Sequence, residues 1–289
     1  MKTIMIIATL AFSMFASANT LQQAQELYAK RAYNAAGIQQ VKAANAIYRD
    51  LVREAGGEKA NLELTYGLIE TLYFLGEAVA TEDEQKAMFW EGYQIADRVV
   101  VSYGVTDIGS IDDRSQRDRL QQTVNRLKAL PEPEKTQFAR ILYVRSSCLG
   151  QWGQLNGVRE SLGRKDELIN NGKLVINMGK KDVNEHGPMR ALGRTYYVLP
   201  ALFGGSNRKA KQYLKEAFVN TRNGGRVSIN GYTNLYYAEV LEATGEEAKA
   251  KKLLKLFIDS DMNTLNPTSI PENKRAHKKA VDLLAEWNR

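Results

Sequence analysis

The chain has 289 residues, of which 44% are hydrophobic and 25% charged, with six prolines; this is the composition of a folded protein and excludes an intrinsically disordered one. Cys148 is the only cysteine, and His186 and His277 are the only histidines, which excludes an intramolecular disulfide, a multi-cysteine zinc or iron–sulfur site and an H-E-x-x-H zinc motif. Forty Lys and Arg against thirty-three Asp and Glu leave a net charge of +7, concentrated in residues 207–289, where fifteen basic residues face ten acidic ones; a basic surface of this kind meets nucleic acid, anionic lipid or an acidic partner, or is simply a solvated helix face.

Residues 1–18 carry Lys2, an apolar run from Ile4 to Phe15 and the small-residue end Ala16-Ser17-Ala18. That layout predicts a secretory signal peptide cleaved after Ala18. The apolar run is shorter than the roughly 20 residues that span a bilayer, and no later stretch is long and apolar enough. The expected product is an exported, periplasmic chain starting at Asn19, with no transmembrane segment. No Cys stands at the cleavage point to carry a lipid anchor. Export argues against a nucleic-acid partner.

Helical periodicity dominates the remainder, read as a single domain over 19–289. Twelve helical stretches are expected, over 20–35, 39–55, 58–78, 82–103, 113–129, 134–154, 157–178, 188–202, 207–222, 229–244, 246–260 and 272–288. Short turns with Gly, Asn or Asp join most of them, as at Gly56-Gly57 and Gly245, and long helices with short connections become antiparallel neighbours. Pro188 suits the first turn of a helix, where its missing N–H costs nothing. Pro267 and Pro271 set off a last segment, 261–289, as a C-terminal cap.

The hairpins repeat. Met189-x2-Leu192-Gly193-x2-Tyr196 fits the first helix of a tetratricopeptide unit, and Ala210-x3-Leu214-x2-Ala217 fits the second. Tyr237-Ala238-x2-Leu241 and Ala250-x3-Leu254 form a following pair, forty residues on; Ala44-x3-Tyr48-x2-Leu51 echoes the second-helix pattern near the N-terminus. The small residues let helices approach and the large ones fill the gaps between them. The predicted fold is all-α, a superhelical array of antiparallel, tetratricopeptide-like helix hairpins; the other reading is an irregular helical bundle. Single hairpins cannot bury their apolar faces, so neighbours stack and first helices line a concave face.

Four blocks resemble the TRAP transporter T-component family. The most specific is Gly187-Pro188-Met189-Arg190-Ala191-Leu192-Gly193-Arg194-Thr195-Tyr196, with Pro200, Gly204-Gly205 and Lys209-Ala210 after it. The others are Ile141-Leu142-Tyr143 with Leu149-Gly150-Gln151-Trp152, Ala87-Met88-Phe89-Trp90-Glu91-Gly92-Tyr93 with Ala96, and Tyr73-Phe74-Leu75-Gly76. The resemblance covers roughly 24–260. It implies an exported accessory of TRAP-type solute uptake that works beside a periplasmic substrate-binding protein, assembles as a homo-oligomer and holds an organic-acid or apolar ligand.

Within that block, Gly187, Pro188, Leu192, Gly193, Pro200, Gly204, Gly205 and Ala210 read as architecture: Gly193 admits a neighbouring helix, Tyr196 fills the gap, Pro200 ends or kinks the helix, and Gly204-Gly205 turn the chain. The alternative reading makes the long connection part of a binding surface, because enlarged loops of repeat proteins cluster on one face. Tyr66, Tyr73, Tyr143, Trp152, Tyr196, Tyr197, Tyr232, Tyr236 and Tyr237 fall on proposed first helices, where aromatics serve either the repeat core or a ligand or partner surface. Neighbours on a helix point about 100° apart, so one of Tyr196 and Tyr197, and one of Tyr236 and Tyr237, is expected off the packing seam. Arg190 and Arg194 lie four apart on one helix face and suit a bidentate hold on a carboxylate; salt bridges to neighbouring helices are the plainer reading.

No cofactor or metal site is expected. Cys148 reads as a buried thiol with no base beside it, His186 has no second ligand near it in sequence, and the polar loop with Asp107, Asp112 and Asp113 does not match a calcium-loop spacing. No nucleotide-binding or nucleophile-elbow motif occurs. The expected function is therefore binding and not catalysis. A generic tetratricopeptide scaffold for envelope assembly is the first alternative, and a glycan-cleaving enzyme, which would need two carboxylates across a cleft, is the second.

Overall fold

The computed structural model describes residues 20–106, 117–222 and 224–289. The segment 1–18 read as a signal peptide and the loop with Asp107, Asp112 and Asp113 lie outside these residues. The described residues are all-α, with no strand among them. The chain divides into two compact units, the first ending at Thr106 and the second beginning at Asp107.

In the first unit a helix over 20–29 (α1) precedes α2 (Ala35–Glu54), α3 (Leu62–Ala78) and α4 (Glu82–Ser102). Asn34, Asn61 and Thr81 cap α2, α3 and α4, each side-chain oxygen accepting a backbone N–H of the first turn, a device that stabilises a helix by about 1 kcal/mol. These caps explain why α2 starts earlier, and α3 later, than periodicity predicts: an Asx cap sets the start more sharply than hydrophobic spacing does. Asn45 donates to Thr71 Oγ1 at 2.8 Å, and the Tyr48 ring lies where a Cβ on Gly67 would be. Numbers fall on α2 as they rise on α3, so the pair is antiparallel. The expected Ala44, Tyr48 and Leu51 are all buried.

The second unit runs α5 (Arg117–Lys128), α6 (Glu134–Asn156), α7 (Val158–Gly163), α8 (Lys165–Asn177), α9 (Val183–Val198), a 3-10 turn (Ala201–Phe203), α10 (Asn207–Thr221), α11 (Gly231–Ala243), α12 (Glu247–Ile258) and α13 (Ile270–Trp287). The single helix predicted over 157–178 is two, because the chain breaks at Arg164 after Gly163. Helices α9 and α10 pack antiparallel: Gly193 on α9 meets Leu214 on α10, and Tyr196 stacks on Tyr213 at 5.8 Å.

Helices α6, α9, α11 and α13 lie side by side and parallel. Tyr143 on α6 reaches Arg190 on α9; Arg190 and Arg194 reach Thr233 and Glu239 on α11; and Gly231 of α11 bonds Asn273 of α13, while Tyr232 lies under Lys279 one turn and a half further along. Helices α6, α9 and α11 are the first helices that the repeat pattern predicts, α13 of the expected capping segment lies beside them in the same layer, and α8, α10 and α12 return behind it. The segment 261–289 supplies its last member. Asn273 fixes α13 to the start of α11 through Gly231 N–H at 2.7 Å and the Ile229 carbonyl at 3.0 Å.

Helix α9 starts with a left-handed turn. Asn184, Glu185 and His186 all have φ between 51° and 57°, a conformation costing roughly 1–2 kcal/mol for each L-residue. The right-handed helix begins at Gly187, so Pro188 falls in its first turn as expected. It ends at Val198, and Pro200 opens the 3-10 turn.

Candidate functional site

The parallel layer contains a pocket of about 330 Å³. Gln151 and Gln154 of α6 line one side, and Lys279, Asp282 and Glu286 of α13 the other; between them lie Arg194 of α9 and Tyr236 and Glu239 of α11. All but Tyr236, near the middle of α11, come from the C-terminal half of their helix, the consequence of four parallel helices in register. Residues 279, 282 and 286 share one face of α13 by the three- and four-residue spacing of a helix.

Arg194 and Glu239 organise the middle. Arg194 Nη1 donates to Glu239 Oε2 at 2.5 Å, and the guanidinium carbon sits 4.5 Å from the Tyr236 ring centroid and 5.5 Å from that of Tyr197. An aromatic face attracts a cation held this way. Burial pushes the Glu239 carboxyl above its ordinary range, and Arg194 pulls it back only in part. Lys279 Nζ lies 5.4 Å from the Tyr232 ring centroid. The lining thus carries cations on two helices and carboxylates on two. Chemically it is suited to a polar, charged ligand or to a charged segment of a partner.

Of the residues singled out in sequence, Arg194 and Tyr236 line this pocket, and Tyr197 stands beside it beneath Arg194. Arg190 does not: it is buried, and so it is no surface residue. Its Nη1 donates to the Glu185 carbonyl at 3.0 Å and Thr233 Oγ1 at 3.3 Å; its Nη2 donates to Tyr143 Oη at 3.1 Å and the Asn184 carbonyl at 3.3 Å. Arg190 and Arg194 do share the face toward α11, but one clamps the left-handed turn and the other holds Glu239.

Tyr196 and Tyr66 are also corrected from surface to interior. Tyr196 is only 2% exposed; Tyr66 is buried with its hydroxyl on Glu70. Tyr73 is half-buried against Phe89 at 5.6 Å, and Trp152 is half-buried on α6. Tyr143 is half-buried, its ring lying where a Cβ on Gly187 would be. Both members of each tyrosine pair pack: Tyr197, Tyr236 and Tyr237 all flank the cluster built on Leu192, Tyr196 and Leu214, because that cluster is wide enough to be met from two sides of one helix.

Sequence reasoning missed Glu239 and the α13 residues. Glu239 was legible as the residue three after Tyr236 on the same face; Lys279, Asp282 and Glu286 belong to a helix that carries no motif. Leu192, Gly193 and Ala210 sit in the α9–α10 seam, as the architectural reading has it. Cys148 is fully buried, which pushes its thiol well above the ordinary range. Burial lowers the His186 value. Compared with known proteins, the chain matches no family model and no curated protein.

Proposed function

We propose that the protein is an exported helical-repeat binding protein, an accessory of TRAP-type solute uptake that engages a periplasmic substrate-binding protein through the parallel layer α6–α9–α11–α13. The pocket in that layer carries the reading: four helices from three hairpins and the terminal segment converge on one charged depression, which is how a repeat array makes a recognition surface. The signal-like N-terminus and the 187–210 block support the transport assignment. Of the two ligand classes implied by the resemblance, the charged lining favours a polar organic acid over an apolar molecule. Such an acid would compete with Glu239 for Arg194 and find Lys279 as the second cation.

The test is photo-crosslinking in living cells from a benzophenone side chain placed at Tyr236. Adducts with a TRAP substrate-binding protein are the expected result. Adducts confined to envelope-assembly machinery would replace the transport reading with that of a scaffold.

A further inference from the structure

Outside the pocket, the tip between α9 and α10 gathers three of the exposed large apolar side chains among the described residues of the second unit. Leu202 is 88% exposed, Val198 49% and Phe203 39%. The segment is not a slack loop. Phe203 N–H and Gly205 N–H both donate to the Pro200 carbonyl, at 2.9 and 3.1 Å, and Ser206 N–H donates to Tyr196 O at 2.8 Å. Gly204 has φ +94°, and a Cβ on Gly205 would fall 1.7 Å from the Leu199 carbonyl oxygen. Ser206 then caps α10. The backbone is folded tightly, yet it holds Leu202 outward in water.

Cations surround the tip. From His186 to Lys215 the chain has no Asp or Glu, and of its six Arg and Lys, Arg190 is buried away from the tip and Arg194 is paired with Glu239. Arg208 is exposed in the first turn of α10, and Lys209 stands over the Tyr196 ring at 5.0 Å. Lys165, at the start of α8, donates to the Phe203 carbonyl at 3.3 Å. Of the acids beside Lys165, Glu167 is held by Arg145 and Arg164, and Asp166 is the one exposed negative charge next to it. Lys211 is paired with Glu246.

We propose that this tip is a membrane-docking wedge, inserting Leu202 and Phe203 among the headgroups of an anionic lipid surface while Lys165, Arg208 and Lys209 sit against the lipid phosphates. A rigid apolar point ringed by cations is the pattern of interfacial binding, in which buried apolar area and attraction to anionic headgroups add. A protein partner fits less well: a stable interface needs roughly 800 Å² from each side, and three side chains on a projecting turn do not offer it. This inference concerns a different surface from the pocket and stands independently of the transport reading.

The experiment is co-sedimentation of the full chain with vesicles of phosphatidylglycerol and phosphatidylethanolamine, beside vesicles of phosphatidylcholine alone. Wild type and variants share one N-terminus, so its apolar segment contributes equally to all. Wild type is expected to bind the anionic vesicles in preference, with binding that weakens as salt rises. The double variant Leu202→Ser/Phe203→Ser is expected to lose about tenfold or more in partitioning, and Arg208→Gln to lose less while flattening the salt dependence. All the changed side chains are exposed, and an unchanged circular dichroism spectrum and melting temperature will show that the fold is kept. Equal partitioning of wild type and the double variant overturns the proposal. So does binding indifferent to lipid charge, and so does self-association through the tip with no vesicle binding.

Discussion

Glu185 and Arg190 hold one strained turn from its two sides. Arg190 takes the backbone carbonyls of Asn184 and Glu185 from within, while the Glu185 carboxylate accepts from Asn230 Nδ2 at 2.7 Å, Ser269 Oγ at 3.1 Å and the Asn266 side-chain amide from without. Three consecutive left-handed residues persist only where their surroundings over-determine them, and here the surroundings are the start of α11 and the approach to α13. The turn therefore ties three members of the parallel layer together at the end away from the pocket.

Replacing Arg190 by Met should destabilise the second unit by about 2–4 kcal/mol, because two carbonyls, a phenol and a threonine hydroxyl lose a donor in a buried place. Urea unfolding measures it. A loss below about 0.5 kcal/mol would mean that the Glu185 side of the clamp suffices.

Gly193→Ala should cost about 1–3 kcal/mol by overpacking, since the new Cβ would fall 2.4 Å from Leu214 Cγ. Leu214→Ala alone should cost about 2–5 kcal/mol as a cavity in a fully buried site. The double variant should cost less than the two losses added, as residues in contact do not behave independently. Strict additivity in a denaturation series would contradict this packing.

Burial raises the Glu239 carboxyl, so protonation is favoured in the folded state. The associated stabilisation is complete below the ordinary carboxylate value and is lost as pH rises through the raised one. As pH falls, Glu239 releases Arg194 to an incoming anion. A small aliphatic sulfonate, which does not itself titrate, should therefore bind more tightly on mild acidification, and Glu239→Gln should bind it about tenfold more tightly at neutral pH. Calorimetry showing neither change would remove Arg194 from ligand binding.

The Lys180 ammonium, with help from Thr136, holds the Glu132 carboxyl down at about 2, against an ordinary 4.5. A lowered carboxyl stabilises above its unfolded value and loses that contribution as pH falls toward the folded one. Glu132→Gln should thus lower the melting temperature slightly at neutral pH, and the gap to wild type should close as pH is taken from about 4.5 down toward 2. A gap independent of pH would assign the loss to something other than the ion pair.

Apart from the break at Arg164, the helices, their order and the α9–α10 pairing follow from local pattern. Apolar spacing and capping residues act within one or two turns, and the small-large pattern Gly193, Tyr196, Ala210 and Leu214 encodes a seam between consecutive helices, so these were readable from adjacent positions. Only the tertiary structure decided which flank of a first helix another first helix covers. That contact joins residues far apart in sequence: Arg190 with Thr233 and Arg194 with Glu239. It put Arg190 inside, left Arg194 and Tyr236 in the pocket, and brought in the motif-free helix α13. Periodicity gives a side chain's angle about its own helix axis. Burial and partners depend on where the next parallel helix is set down, and that is a property of the whole packed unit.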